Sequence, residues 1–331
     1  MPSKLRYHTF ATLAALWPSL PLFILTSCSR PQTDGYLKGN AMGTFYTAQY
    51  WSKQNVRHQE LTTEIESLLD HFEKQLSNWR PDSWVNRFNQ APANEAVPVP
   101  VYAFEILELC LELAERSEGA FDPTIAPLIE LWGFGTRRDK KVPEESEIQA
   151  GIDMIGYRKL ILDRKNRTLR KTQDGIQLNC SAVAKGYAAD LIARLFEANG
   201  IQNFLINIGG EVTAKGTYID GSVWQIGIAS PRGDRRQGKP EVIFPLKNRS
   251  LATSGHSQRA FVIDGIRYSH ILDPRTGYPT PTETASATVL APNCALADGL
   301  ATIALILNEK RLTQLLEYYD AEVYRSTWST L

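Results

Sequence analysis

Asp298 and Thr302 lie four residues apart in residues 294–307, a run whose apolar spacing predicts a helix. Both side chains therefore share one face. A carboxylate and a hydroxyl are hard oxygen donors, and Mg2+ takes octahedral oxygen ligands while retaining substrate phosphate among them. The pair suits a divalent cation on a phosphorylated substrate, although Asp and Thr also recur at this spacing in helices that bind nothing. A second set is Tyr268-Ser269-His270-Ile271-Leu272-Asp273-Pro274-Arg275-Thr276-Gly277. His270 can accept and return a proton near neutral pH, and Arg275 can hold a phosphate. A tight turn with an Asp cap and a solvated Arg is the plainer reading of the same residues. In residues 178–190 small side chains bridge a strand and a helix start. Free N–H groups and the positive dipole end there attract phosphate, and Lys185 adds charge. Neither GxxxxGK[ST] nor GxGxxG occurs, so no P-loop or dinucleotide fingerprint is available. Trp79, in the polar run Ser77-Asn78-Trp79-Arg80-Pro81-Asp82-Ser83, can stack on a flat heterocycle or fill the core.

The elements that must position these groups follow from periodicity. Residues 44–51 read as a strand and residues 60–76 as an amphipathic helix. A Pro-containing loop over 91–100 precedes a helix over 101–117, which Gly119 stops. Residues 119–135 are apolar and aromatic but aperiodic and broken by Pro123 and Pro127, which suits a pocket wall or a buried loop. Residues 137–150 are a charged excursion. A strand over 176–180 leads to a helix over 184–198 closed by Gly200. Strands follow over 204–208, 224–229, 260–263, 267–272 and 285–291, with a polar turn over 232–239. Interleaved strands and helices without repeats predict one compact mixed α/β domain.

The chain opens with Lys4, Arg6 and His8, then an apolar stretch over 9–25 interrupted by Pro18 and Pro21, then Thr26-Ser27-Cys28. This is the pattern of a secretory signal, too short and broken for a membrane span of about 20 residues. An apolar residue and two small ones before Cys28 resemble a bacterial lipobox, in which the Cys carries lipid. Ser29 in place of Asp favours, by the same resemblance, the outer membrane over the inner one. Residues 1–27 are then a signal, 28–40 a tether and 41–331 the domain. Lys+Arg and Asp+Glu are 36 each, so net charge makes no case for nucleic acid. Cys110, Cys180 and Cys294 lack CxxC spacing, and at most one disulfide can form among them. Cys110 falls on an apolar helical pattern, as a core residue would.

Each signal is poor singly, and their order is informative. Met42-Gly43-Thr44, the Trp79 block with Arg87-Phe88-Asn89, Gly119-Ala120-Phe121-Asp122-Pro123-Thr124 and Ala184-Lys185-Gly186-Tyr187-Ala188-Ala189-Asp190 come first. Ile206-Asn207-Ile208-Gly209-Gly210-Glu211, Ala252-Thr253-Ser254-Gly255, the Ser269-His270 block and Ala297-Asp298-Gly299-Leu300-Ala301-Thr302 follow. Together these resemble the ApbE family, the FAD:protein FMN transferases. The resemblance implies an α+β, T-fold-related domain with a ligand cleft and FAD as substrate. It implies Mg2+ held by Asp298, Thr302 and the Ala182 carbonyl, with Ala184 the alternative in a shifted register. Met42, Trp79, Ala120, Phe121, Asp122, Asn179 and Lys185 match flavin- or adenine-contacting positions. His270 is the candidate base for a Thr or Ser hydroxyl of an acceptor flavoprotein, with AMP as leaving group. Two departures stand out: Asn179 replaces a frequent Asp, and Ser254-Gly255-His256-Ser257 replaces a frequent Ser-Gly-Asp-Tyr. Alternatives from other classes are a Mg2+-dependent FAD pyrophosphatase, an FAD-binding lipoprotein without turnover and a structural envelope lipoprotein.

Overall fold

The first strand sits where the sequence suggests a tether. β1 (Thr33–Ala41) pairs antiparallel with β2 (Thr44–Ser52) through the two-residue turn Met42-Gly43. Gly35 and Gly39, which make the segment look like a linker, face Tyr50 and Tyr46 across the pair. A Cβ on either would fall about 2.5 Å from the opposing ring, so the glycines make room for aromatic cover of an edge strand. The computed structural model describes residues 33–135, 140–230, 240–256 and 260–328. The signal segment 1–27, Cys28 and the turn over 232–239 lie outside the described residues.

After β2 come α1 (His58–Leu76), α2 (Trp84–Gln90), a two-residue β3 (Val97–Pro98) and α3 (Val101–Arg116). α1 buries Leu61, Ile65, Leu69, Phe72 and Leu76, the stripe that its spacing predicts. Residues 119–135 hold a short helix, α4 (Ala126–Leu131). The expectation of irregular structure fails there because Pro127 sits in the first helical turn, where its missing N–H costs nothing. The charged excursion likewise contains α5 (Glu145–Asp153), started by a reciprocal capping box between Glu144 and Glu147. β4 (Leu160–Asp163), β5 (Thr168–Lys171) and β3 then form a small separate sheet.

No strand forms over 176–180. Gln177 makes a single parallel bridge with Ile125, and side chains satisfy Leu178 instead of a ladder. Its N–H donates to Asn89 Oδ1 at 2.7 Å, and its carbonyl accepts from Asn78 and Asn89. α6 (Ser181–Ala198) starts three residues earlier than the sequence suggests. It ends at Gly200, whose φ is +74°. Gly200 N–H reaches the Glu197 carbonyl and Ile201 N–H the Phe196 carbonyl, the paired bonds of a Schellman end.

β6 (Asn203–Ile208), β7 (Glu211–Lys215), β8 (Trp224–Ile228), β9 (Val242–Leu246) and β10 (Arg249–Gly255) follow. A hairpin of β11 (Ala260–Ile263) and β12 (Ile266–Ser269) precedes β13 (Thr284–Ala291), α7 (Cys294–Ile303), α8 (Glu309–Tyr318) and β14 (Glu322–Thr327). β12 stops at Ser269, short of the expected 272, because Ser269 Oγ takes the Ile271 N–H. The main sheet runs β1-β2-β6-β7-β10-β13-β14, antiparallel at every pair. Strand parity divides its faces. Ala252, Val289 and Ala291 join α1, α3, α6 and α7 in the main core, while Leu251 and Leu290 meet Trp224 and Leu246 of the β8–β9 ribbon. β13 is therefore buried on both faces, which accounts for its continuous apolar run. The fold is α+β, as the sequence indicates. Among the described residues no helix is long and apolar enough to cross a membrane, and Cys110, Cys180 and Cys294 are free and buried.

Candidate active site at the α6–α7 crossing

α6 and α7 cross with almost no space between their backbones. A Cβ on Gly186 would lie 2.2 Å from the Cys294 carbonyl oxygen. Three side-chain bonds start α7. Asp190 on α6 accepts from Cys294 N–H and Ala295 N–H, both at 2.9 Å, and Asn293 accepts from Leu296 N–H at 2.9 Å. Three of the four donors orphaned at a helix start are thereby satisfied. Burial pushes the Asp190 carboxyl up to about 6 against those two bonds.

Asp298 sits on the second turn of α7 and is buried. Its Oδ2 accepts the Gly186 N–H at 3.1 Å. That bond brings the second turn of α6 against Asp298. Lys185 forms an ion pair with Glu211 at the start of β7. Burial drives the Asp298 carboxyl up to about 7, with Glu211 adding to the rise and Lys185 and the Gly186 N–H opposing it. Lys185 shows the reverse balance. Burial lowers its ammonium, and the carboxylates of Asp298 and Glu211 more than offset this, leaving it above its ordinary value. Glu211 Oε2 is buried without a hydrogen-bond partner. One ammonium thus serves two buried carboxyl groups, and a cation beside them would favour the ionised form of both. Thr302, one turn beyond Asp298, exchanges a hydrogen bond with Ser254 at the end of β10, Oγ to Oγ1 3.0 Å.

Asn179 caps the entry to α6, its Oδ1 accepting from Ser181 N–H at 3.0 Å. Trp79 is 65% exposed, which removes the core alternative. Its loop is held rigid by Asn86, which donates to the carbonyls of Asn78 and Arg80, and by the Asn78–Leu178 bond. Met42 occupies a left-handed conformation at φ +54°, beside Gly43 at +71°, as a type I′ hairpin turn demands. Glu73 Oε1 accepts the Met42 N–H at 2.7 Å and holds the turn over α1. A non-glycine residue kept there is the kind of strain found at ligand contacts. Ala120, Phe121 and Asp122 are turned inward and buried. Both Asp122 oxygens are engaged, Oδ1 by the N–H and hydroxyl of Thr124 and Oδ2 by Tyr157 N–H, and burial raises its carboxyl against those bonds. The Asp122 carboxylate braces the loop.

His270 follows β12, its ring 6.3 Å from Phe134. His256, just past β10, is fully buried. Its Nδ1 lies 2.6 Å from Ser269 Oγ, and its Nε2 has no hydrogen-bond partner. An unsatisfied buried polar atom costs about 1–3 kcal/mol. Burial, with His270 and Arg267 nearby, holds the imidazole down to about 4. Arg275 is bound bidentately to Asp273 within its own turn, which favours the plain turn reading over a phosphate ligand. The structure thus gathers Lys185, Gly186 and Asp298, joins Thr302 to Ser254, and sets His270 beside His256.

The ApbE family model matches residues 42–324, most of the described chain. This chain belongs to the ApbE family. It is 37% identical over 292 residues to the FAD:protein FMN transferase of Vibrio cholerae serotype O1, covering 88% of this chain and 86% of that one. The Haemophilus influenzae protein of the same name is 33% identical over 308 residues, covering 91% and 88%. Among solved structures, the flavin transferase ApbE of Vibrio cholerae superposes with a TM-score of 0.81 at 34% identity, over 91% of this chain and 95% of that one. The apo flavinyl transferase ApbE of Pseudomonas stutzeri gives 0.80 at 35%, over 89% and 92%. Within this ApbE-family frame, the residues that sequence reasoning left unassigned are Glu211, Ser254 and Glu73. Glu211 had a visible signal, a carboxylate directly after Gly209-Gly210 at the head of an apolar strand. Glu73 had none, because one acid on an exposed helix face looks like any other.

Proposed function

We propose that this chain is an FAD:protein FMN transferase that uses Mg2+, attaches FMN to a Thr or Ser hydroxyl of a flavoprotein and releases AMP. The observation that carries the reading is the buried Asp298 on α7, flanked by Lys185 and the Gly186 N–H of α6, in a chain of the ApbE family. Asp298, the Thr302 hydroxyl and the Ala182 carbonyl would hold the cation. All are hard oxygen donors, and the two buried carboxyl groups that share one ammonium fit them to it. Phosphate oxygens of the substrate would complete the shell. When bound, the ion neutralises charge on the pyrophosphate.

The chain's own residues supply the rest. Trp79 is exposed and would offer its face to a flat ring. Lys185 can turn from Glu211 to a phosphate oxygen, since its side chain is one-third exposed. His270 takes the proton as the acceptor oxygen bonds to the FMN-side phosphorus. The bond from that phosphorus to the bridging oxygen breaks, and AMP departs with the electron pair. FMN stays on the acceptor as a phosphoester. Positioning and charge neutralisation contribute more to phosphoryl transfer than the base does.

The chain is further proposed to act at the periplasmic side of the envelope, anchored by lipid on Cys28, outer membrane favoured. This rests on Leu25-Thr26-Ser27-Cys28 following the apolar stretch. Loss of fatty-acid labelling in Cys28→Ala is expected, and retained labelling refutes the anchor.

The test mixes the detergent-solubilised full chain with FAD, Mg2+ and a candidate acceptor subunit, with and without EDTA, and reads intact masses. A metal-dependent FMN adduct with AMP released is expected. Free FMN and AMP with no adduct across several acceptors would establish the pyrophosphatase, and unchanged FAD would leave a binding protein.

A further inference from the structure

We propose that His256 is a positioning residue for His270, holding through Ser269 the backbone turn in which His270 is the central residue. The inference rests on the role of His270 proposed above. Ser269 Oγ accepts the Ile271 N–H at 3.2 Å. This is a serine turn closed over one residue, and the residue enclosed is His270. The far side of the turn is fixed too, because the Ile271 carbonyl accepts both the N–H and the hydroxyl of Thr280. What fixes the near side is the His256 ring, whose Nδ1 lies 2.6 Å from the same Ser269 Oγ. With the Ile271 N–H on one lone pair, the serine hydroxyl can donate to Nδ1, so one oxygen joins His256 to both flanks of His270.

His256 is well anchored for this task. Its N–H donates to the Ala285 carbonyl at 2.9 Å, continuing the β10–β13 ladder by one residue. Arg267 Nη2 donates to its carbonyl at 3.1 Å, so the β12 strand is tied to it twice. Two residues earlier on the same strand, Ser254 meets Thr302. The end of β10 therefore holds the metal-side hydroxyl with one side chain and the base with another, at the two-residue spacing that puts both on one face. An imidazole buried with Nε2 unpartnered is costly to retain, and its one side-chain hydrogen bond is the one to Ser269. This explains why the chain tolerates His256 after Ser254-Gly255: the buried ring reaches Ser269.

The test compares the full chain with its His256→Leu, His256→Asn and Ser269→Ala variants. Two readouts are taken: the His270 imidazole NMR signals, and kcat for FMN transfer beside the FAD Kd. In folded His256→Leu the His270 signals should shift and split into more than one conformer. kcat should fall about ten- to hundred-fold, the cost of a small misplacement, with FAD Kd within about two-fold. His256→Asn keeps a polar atom in reach of Ser269 and should recover most of the rate. Ser269→Ala should act in the same direction, and the double variant His256→Leu/Ser269→Ala should be no worse than either single one, since both cut one link. Unchanged His270 signals in folded His256→Leu and Ser269→Ala overturn the proposal, as does a rate loss that tracks FAD affinity. If His256→Leu does not fold, Ser269→Ala decides. If wild type transfers no FMN, the functional reading fails, and the NMR signals still decide whether His256 holds His270.

Discussion

The α6–α7 crossing and the β11–β12 hairpin hold the two halves of the proposed chemistry by different means. At the crossing, backbones touch through Gly186, Asp190 and Asn293 close the helix start, and Asp298 is buried beside Lys185. The hairpin is two four-residue strands forming a sheet of their own, with Val262 63% and Ile266 57% exposed. Charge stabilisation is thus built into packed core, where a displacement of one atom disturbs two helices. The base follows a peripheral ribbon, its turn held by His256 through Ser269 and by Thr280, and its ring set against Phe134. A fixed electrostatic site suits a substrate that is always FAD. A base on a slighter support suits an acceptor that must arrive as part of another folded protein.

That contrast can be broken or sharpened experimentally. The largest effect is expected for Asp298→Ala, with transfer falling about a thousand-fold or more, equivalent to roughly 4 kcal/mol of transition-state stabilisation. Steady-state rates across a Mg2+ titration check it, and wild-type-like turnover at limiting Mg2+ would remove Asp298 from the metal site. His270→Ala should lower kcat about 100-fold, the modest end of general base catalysis, while FAD still binds. A parallel loss of FAD affinity would make His270 a ligand contact and move the hairpin into the binding site.

His256 makes stability depend on pH. Its folded value is lowered to about 4 from 6.5, so between those values the unfolded chain binds a proton that the folded chain refuses. The stabilisation is present above the unfolded value and is lost as pH falls toward 4, amounting to about 3 kcal/mol. Melting curves between pH 7 and 4.5 should show a flatter profile for His256→Leu than for wild type; parallel profiles would mean that the ring titrates normally. Gly186→Ala is expected to cost about 1–3 kcal/mol, because the new methyl must push against a helix backbone. Calorimetry should show a lower melting temperature together with weaker Mg2+ dependence of transfer. A shift in stability alone would show that the crossing tolerates displacement without disturbing Asp298.

Much of this was legible in the residues. The stripe of α1, the strand at β6 and the helices at α3 and α6 follow from spacing, because each buries one face against the core, and α7 follows from an apolar run that is buried nearly all round. The pair Asp298 and Thr302 is legible for the same reason, since helical periodicity alone puts them on one side. Less visible were β1, whose glycines serve tyrosines on the next strand, and α4, where Pro127 starts a helix instead of breaking one. The bonds from both Asp122 oxygens to Thr124 and Tyr157 were likewise not visible in the motif.

Residue identity and local period are enough for the family, the order of the motif blocks and the types of atom available for the reaction. Long-range packing sets the rest: Glu211 shares Lys185 with Asp298, Ser254 meets Thr302 and His256 reaches Ser269. Those pairings join residues from 13 to more than a hundred positions apart. Local propensity carries no information at such separations, and the partners are chosen by which strand ends and helix turns the packed sheet brings face to face.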